Sequence, residues 1–201
     1  MLSRKDRAGL DGAVYRFFLD HRDPGLTTAS KAMSVLGGTA LLSAVTMAIA
    51  GLVWWRTRRP RELLVPALAV AGSWFLVEAI KIAVHRPPPP VADMLAGTPG
   101  FAFPSGQATR SAACLLTVAF VVNGVLKSWR SKVVVVTAAF SISTLIGLSR
   151  LTLAVHWLTD VLGGWALGTL WFAVVVVITE VAASLQRGEA GESPAEPITA
   201  R

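Results

Sequence analysis

The residues best suited to catalysis lie in one short stretch, Ser149–Asp160, between two apolar runs of the chain. His156 and Asp160 are four residues apart, a spacing that places two side chains on one face of a helix. A carboxylate so placed holds one imidazole nitrogen as N–H and leaves the other free as a nucleophile or base. Arg150 adds a fixed cation suited to a phosphate group. The alternative at this point is a histidine that only caps a main-chain carbonyl near a membrane surface.

The composition predicts a membrane protein. Of the 201 residues, 53% are hydrophobic and only 15% are charged, which excludes an ordinary soluble domain and suits a single membrane-embedded one. The net charge is +7, and its placement is more informative than its sign. Cys114 is the one cysteine, so no disulfide forms within the chain. Residues 1–9 are polar and basic, and no signal-peptide core follows them.

Apolar segments predict the membrane-spanning helices, for which roughly 20 residues suffice. Five segments qualify, at residues 32–55, 63–84, 105–126, 133–148 and 157–182. Ahead of them, residues 10–22 place Leu10, Val14, Phe17 and Phe18 on one helical face, the pattern of an amphipathic helix at the membrane interface. The predicted fold class is all-α: a polytopic transmembrane bundle of five to six membrane helices with an N-terminal amphipathic helix.

Three regions follow from this pattern. Residues 1–31 hold the basic N-terminus and the amphipathic helix, which Asp23-Pro24-Gly25 breaks. Residues 32–184 form the transmembrane domain. Residues 185–201 are rich in Glu, Pro, Gly and Ser and are expected to be a disordered tail.

Basic loops predict the sidedness of the bundle. Residues 56–61 and 127–132 are rich in Arg and Lys, and such loops stay in the cytoplasm. The proline-rich loop after residue 84 and the 149–156 loop then share the opposite, extracytoplasmic side. Five spans also place the basic N-terminus outside, against the same rule, unless residues 10–34 cross the membrane in some way.

The residues of this outer side predict a phosphate site. Ser105 and Gly106 open a helix, whose free N–H groups and dipole attract an anion. Lys81, Arg86 and Arg150 supply three cations. Attack by His156 on phosphorus gives a phosphohistidine that water later hydrolyses. The cations stabilise charge on the equatorial oxygens. The sequence offers no cluster of metal ligands, so neither a metal nor another cofactor is expected.

Each of these residues also has a simpler interpretation. Lys81 and Arg86 suit snorkelling side chains at the membrane interface, and Ser105 suits an ordinary helix N-cap. Glu78 is one turn before Lys81 and is expected to pair with it rather than take part in catalysis. Arg110, one turn into the third span, is placed to reach either a lipid phosphate of the bilayer or the substrate.

The chain resembles the integral-membrane members of the type 2 phosphatidic acid phosphatase superfamily, of bacterial lipid phosphate or diphosphate phosphatase type. That family has three motifs: Lys…Arg-Pro, Pro-Ser-Gly-His and Ser-Arg-x5-His-x3-Asp. The third is complete here, from Ser149 to Asp160, and the resemblance covers about residues 30–182. It implies metal-independent hydrolysis of a lipid phosphate or diphosphate, such as a polyprenyl diphosphate or a lipid like phosphatidic acid, at a site facing away from the cytoplasm.

The resemblance also implies the residue roles. His156 is the nucleophile, with Asp160 as its partner. The residues that bind the phosphoryl group are Lys81, Arg86, Ser105, Gly106 and Arg150, with Ser149 and Arg110 as possible support. The implied partners are a membrane lipid phosphate or diphosphate and the bilayer of the cell membrane, and no nucleic acid is expected.

Two departures from the family pattern bear on activity. Four residues separate Lys81 from Arg86, where the longer form of the family motif has six, and Pro88 stands where a second Arg is common. Gln107 replaces the histidine that in relatives protonates the leaving group, and an amide cannot be a general acid. The first interpretation is therefore an enzyme whose activity Gln107 impairs. The alternative is a catalytically weakened or silent lipid-phosphate binding protein. A protein like the vanadium haloperoxidases shares the motifs but is disfavoured by the membrane spans.

Overall fold

The computed structural model describes residues 9–97 and 100–191 of the chain. Within these ranges the regular structure is helical, as predicted, and comprises seven α-helices and a short 3-10 turn at Val91–Asp93. The α-helices are α1 (Leu10–Asp20), α2 (Pro24–Leu36), α3 (Thr39–Thr57), α4 (Arg61–Val84), α5 (Gly106–Asn123), α6 (Trp129–Thr152) and α7 (Leu158–Gly191).

Four of these helices are long and apolar enough to cross a membrane: α3, α4, α6 and the Leu158–Leu185 part of α7. The one remaining predicted span, 105–126, is the third in chain order. It corresponds to α5, which contacts all four of these helices. Ten of the 18 residues of α5 are buried, including several small and hydroxyl-bearing ones. Because its neighbours shield α5, its sequence carries polar residues that an exposed span could not.

The loops of the bundle gather at two ends. The main-chain nitrogen of Leu95 donates a hydrogen bond to Leu153, at 3.0 Å, so the loop after α4 meets the connection between α6 and α7. We call this the site end, defined by residues 85–97, 100–105 and 153–157. The predicted juxtaposition of these two loops is confirmed. The connections at 58–60 and 124–128 lie at the other end, which we call the basic end.

The two N-terminal helices pack on the site end. Val14 and Phe18 of α1 pack against a buried cluster of the bundle, whereas Leu10 and Phe17 of the predicted apolar face are exposed. The predicted break is confirmed, because Asp23 caps the N-terminus of α2 by accepting a hydrogen bond from the main-chain nitrogen of Leu26, at 2.9 Å. Neither helix is among the four membrane-crossing candidates of the described residues.

The predicted start of the first span, at residue 32, is wrong. Residues 32–36 belong to α2, and Gly37 and Gly38 separate it from α3. A Cβ on Gly37 would lie 2.5 Å from the Cγ2 of Ile146. The apolar run is therefore continuous in composition, but the chain turns within it where a side chain would clash.

The last helix is longer than the sequence pattern indicates. It extends to Gly191, so residues 185–191, which were assigned to the disordered tail, are helical. Gln, Arg, Glu and Ala in this segment are good helix formers that continue a helix without an apolar face. The remaining tail, 192–201, and the basic residues 1–8 lie outside the described residues.

Candidate functional site

The connection between α6 and α7 places His156 beside Asp160. Helix α6 ends at Thr152, and residues 153–157 turn sharply, with Ala154 in the left-handed region at φ 56°. The Nδ1 of His156 lies 3.5 Å from the Oδ2 of Asp160. The pairing was expected from one helical face, yet α7 begins only at Leu158, so the turn before the helix brings the two side chains together.

Asp160 is fully buried and is held by two further groups. Its Oδ2 accepts a hydrogen bond from the main-chain nitrogen of Trp157, at 2.8 Å. This reach back to the residue before the helix is one half of a capping box and fixes the carboxylate in the first turn of α7. Its Oδ1 accepts a hydrogen bond from Arg86, at 2.6 Å. Asp160 therefore stays aimed at both Arg86 and His156.

A cavity of about 600 Å³ opens at the site end of the bundle. Most of the predicted site residues line it. The lining residues are Thr39, Trp74, Glu78, Lys81, Gly97, Gly100, Gly106, Gln107, Arg110, Arg150 and His156. The sequence thus correctly predicted that residues from α4, α5, α6 and the α6–α7 connection meet.

Three cations face this cavity. Arg150 is almost fully buried, and its guanidinium donates a hydrogen bond to the hydroxyl of Ser34, at 2.5 Å. Arg110 donates hydrogen bonds to the hydroxyl of Thr39, at 2.9 Å, and to the carboxylate of Glu78, at 3.2 Å. The side-chain ammonium of Lys81 forms no hydrogen bond or ion pair with any residue that the structure describes. The expected pairing of Glu78 with Lys81 is replaced by its pairing with Arg110.

Arg86 is not among the cavity-lining residues. Its guanidinium lies between Asp160 and Asp11 of α1, 2.6 Å from each carboxylate. The direct contact with phosphate that the motif implies for Arg86 stays a prediction, and in this arrangement its guanidinium pairs with two carboxylates. Helix α4 ends at Val84, three residues after Lys81, and the proline-rich loop that follows places Arg86 against Asp160.

The start of α5 has the form of an anion site. Ser105 is the N-cap residue, its side chain is fully buried, and its hydroxyl has no hydrogen-bond partner among the described residues. Gly106 follows, and a Cβ there would lie 2.8 Å from a guanidinium nitrogen of Arg110. A glycine at this position therefore lets Arg110 fold back over the helix start, where main-chain N–H groups point outward.

Gln107 lines the cavity one residue further along α5. Its amide nitrogen donates a hydrogen bond to the main-chain carbonyl of Ser34, at 3.2 Å. Its carbonyl oxygen is buried without a partner among the described residues. Ser149, in contrast, donates its hydroxyl to the carbonyl of Ile146, at 2.6 Å, and does not line the cavity.

Buried donors around the cavity lack partners. The Nε atoms of Arg110 and Arg150 and the hydroxyl of Ser105 form no hydrogen bond within the described part of the chain. Such groups are rare in folded proteins and call for a ligand that satisfies them. All three are donors, the kind of group that an oxyanion accepts hydrogen bonds from. Among the described residues, no three His, Cys, Asp or Glu side chains group as metal ligands would.

The sequence model of the PAP2 superfamily matches residues 62–183, which include most of α4 and α7, all of α5 and α6, and every residue of the three motifs. This chain belongs to the PAP2 superfamily. A known relative supports the assignment: phosphatidylglycerophosphatase B of Bacillus subtilis (strain 168) is 31% identical over 168 residues, which are 82% of this chain and 81% of that protein.

Two crystal structures are similar to this PAP2 chain. One is described as the first transmembrane PAP2 type phosphatidylglycerolphosphate phosphatase, from Bacillus subtilis; the TM-score is 0.80 with 27% identity over 89% of this chain and 88% of the other. The other is LpxE of Aquifex aeolicus, with a TM-score of 0.66, 20% identity and coverage of 84% and 95%, a likeness of fold. The family assignment and the apolar helices together make this a multi-pass membrane protein.

Burial is the main influence on the pKa of the histidine in this PAP2 site. His156 is only 5% exposed, and this burial lowers its pKa below the usual value of 6.5. The contact with Asp160 opposes the shift, and the positive charges of Arg150 and Lys81 add to it. The neutral imidazole, which has a free lone pair, is therefore the dominant form at neutral pH.

Several residues of the site had no signal in the sequence. Asp11, Ser34 and Thr39 come from the N-terminal third of the chain. They contact Arg86, Arg150 and Arg110, respectively. No motif or spacing links them to those arginines, because only the tertiary fold brings them close. Glu78 had a signal, its position one turn before Lys81, but that signal predicted the wrong partner.

Proposed function

We propose that this PAP2 protein hydrolyses a membrane lipid phosphate or diphosphate through a phosphohistidine on His156. The observation that carries the proposal is one cavity in which His156 faces three cations and the start of α5. The name of the Bacillus subtilis relative, 31% identical, describes a lipid phosphatase and supports the same class of substrate.

The first step forms a P–N bond and breaks a P–O bond. Asp160 lies on the Nδ1 side of the ring, so Nδ1 carries the proton and Nε2 attacks phosphorus. The leaving group takes the electron pair of the broken bond. Lys81, Arg110 and Arg150 neutralise the charge that spreads over the phosphoryl oxygens. Ser105 and the main-chain N–H groups that open α5 supply further donors.

The second step returns the enzyme to its starting state. Water attacks the phosphohistidine, inorganic phosphate departs, and Nε2 recovers its lone pair. Gln107 can orient a water or a leaving oxygen through hydrogen bonds but cannot transfer a proton. Its position in the cavity therefore favours substrates whose leaving group departs without protonation, and a lipid diphosphate is such a substrate.

The substrate's position follows from the sidedness of the bundle. The basic end holds the loops 56–61 and 127–132, whose charge favours the cytoplasm. The site end then faces the extracytoplasmic side of the cell membrane. Trp74 and Glu78 line the cavity along α4, a helix long and apolar enough to span the bilayer. A lipid headgroup thus reaches His156 while its chains stay in the membrane.

The second candidate function is a silent lipid-phosphate binding protein. Gln107 supports this alternative, because a site with Gln107 keeps the cations that bind phosphate but has no general acid at that position. Phosphate release from lipid mono- and diphosphates in detergent micelles distinguishes the two. The unsubstituted protein, which we call the parent, should release phosphate, and His156→Ala should not. His21→Ala, which changes an exposed histidine of the same chain, should behave as the parent. An inert parent that still binds lipid phosphate would establish the binding protein instead.

A further inference from the structure

Asp11 of α1 lies between the proline-rich loop and the first turn of α7 and contacts both. Its carboxylate lies 2.6 Å from a terminal nitrogen of Arg86. The same carboxylate accepts hydrogen bonds from the main-chain nitrogen of Thr159, at 2.9 Å, and from its hydroxyl, at 2.6 Å. One side chain of the N-terminal helix thus holds both the proline-rich loop and the first turn of α7.

Arg86 carries this contact on to the catalytic pair. Its second terminal nitrogen donates a hydrogen bond to the Oδ1 of Asp160, at 2.6 Å. The Oδ2 of Asp160 faces His156, at 3.5 Å. A continuous series of contacts therefore runs from α1 to the nucleophile, through the charges of Asp11, Arg86 and Asp160 to the imidazole of His156.

The segment that matches the family begins at residue 62, so α1 lies outside it. Asp11 nevertheless contacts the third motif directly through Thr159. Tyr15, one turn along α1, hydrogen-bonds to Asp93 at 2.5 Å and packs its ring 5.4 Å from that of Trp157. Helix α1 is thus docked over the motif at two separate points.

We infer that Asp11 is a positioning residue for the reaction, acting through Arg86 on Asp160 and His156; this inference rests on the proposed function. With Asp11 in place, one terminal nitrogen of Arg86 donates to Asp11 and the other donates to Asp160. Without that charge, Arg86 is free to turn both nitrogens towards Asp160, which draws Oδ2 away from the imidazole. Small displacements of a reacting group cost large factors in rate.

Asp11 is ionised throughout the physiological range. Its partial burial raises the pKa, but the hydrogen bonds from Thr159 and the charge of Arg86 outweigh this, and the net pKa is below the usual value of 3.8. Neither Asp11 nor Arg86 lines the cavity. The loss of Asp11 should therefore change the turnover step and leave substrate binding nearly intact.

The test compares Asp11→Asn, which keeps the shape and removes the charge, with two controls on the same helix. Asp20→Asn removes an exposed carboxylate of α1, and Tyr15→Phe removes the other docking hydrogen bond. We expect Asp11→Asn to lower kcat by about tenfold or more with KM within about twofold. Both controls should keep kcat close to that of the parent. Asp11→Asn with the kcat of the parent, or an equal loss in Tyr15→Phe, would overturn the inference.

A second measurement does not depend on activity. Hydrogen–deuterium exchange of the segment 153–162 reports how firmly the α6–α7 connection is held. Asp11→Asn should accelerate exchange there, whereas Asp20→Asn should not. If the parent releases no phosphate, the proposed function fails, and faster exchange in Asp11→Asn alone would still show that Asp11 holds the site. Unchanged exchange in Asp11→Asn would overturn the inference whether or not the parent is active.

Discussion

The main-chain nitrogen of Ser105 donates a hydrogen bond to the carbonyl oxygen of Asp160, at 2.9 Å. This bond ties the start of α5 to the first turn of α7, and so fixes the second motif against the third. Side chains on the two helices cannot drift apart without breaking it. The phosphate-binding helix start and the nucleophile are thus held in one register by main-chain atoms.

Helices α5 and α7 also pack closely against each other further along their lengths. A Cβ on Gly168 would lie only 2.2 Å from the carbonyl oxygen of Thr109. Gly168→Ala should therefore force the helices apart and destabilise the protein by about 1–3 kcal/mol. Gly51→Ala, in α3, is the matched control, because nothing lies within 4 Å of the added Cβ. Thermal unfolding in detergent micelles compares the two, and equal melting temperatures would contradict the tight crossing.

Position 107 should set the choice between substrates. Gln107→His adds a general acid, which is typically worth about 10²–10⁴-fold in rate. A lipid alkoxide is a poor leaving group and needs that proton more than a lipid phosphate does. We expect a larger gain on a lipid monophosphate than on the matched diphosphate, measured as kcat/KM. Gln107→Leu removes the amide without adding an acid, and so controls for the loss of the hydrogen bonds of Gln107. Equal gains on both substrates would show that position 107 does not act through leaving-group protonation.

The sequence predicted the helices and the third motif well because both are local patterns. Continuous apolar segments identify spanning helices whatever their partners, and the spacing from Ser149 to Asp160 lies within one connection and its flanking turns. The turn at Gly37 was missed because no charge or proline interrupts the apolar run. Only the proximity of Ile146, from a distant helix, reveals why the chain turns there.

The roles of the arginines could not be predicted in the same way. Arg86 belongs to a motif that implies phosphate contact, and its partner Asp11 lies 75 residues away in the sequence, on another helix. Arg110 was ambiguous in the sequence, and the structure places it among the residues that line the cavity. Which arginine meets a substrate depends on its carboxylate partners, and those come from other helices.

The ionisation of His156 gives a prediction that is independent of turnover. Burial lowers its pKa, so the imidazole should become protonated only below the usual midpoint of 6.5. The chain has only three histidines, so NMR of histidine-labelled protein in micelles can follow all of them. His156→Ala assigns the resonance. A midpoint above 7 for His156 would contradict the lowered pKa.

The orientation of the bundle can be tested with single cysteines. Cys114 is buried and is first replaced by serine to remove background. Ala92→Cys, at the site end, should react with a membrane-impermeant maleimide on intact cells, whereas Ser128→Cys, at the basic end, should react only after the cells are opened. Both positions are exposed, so accessibility differs only by side of the membrane. The reverse pattern would place the site in the cytoplasm.

The role of His156 as nucleophile is tested most directly by trapping the phosphoenzyme. A substrate carrying labelled phosphate is mixed with the protein and quenched in alkali, in which phosphohistidine is stable and phosphoserine is not. We expect label that is lost in acid and that maps by mass spectrometry to His156. The label should be absent from His156→Ala but present in His21→Ala. Label at another residue, or phosphate release by His156→Ala at the rate of the parent, would contradict it.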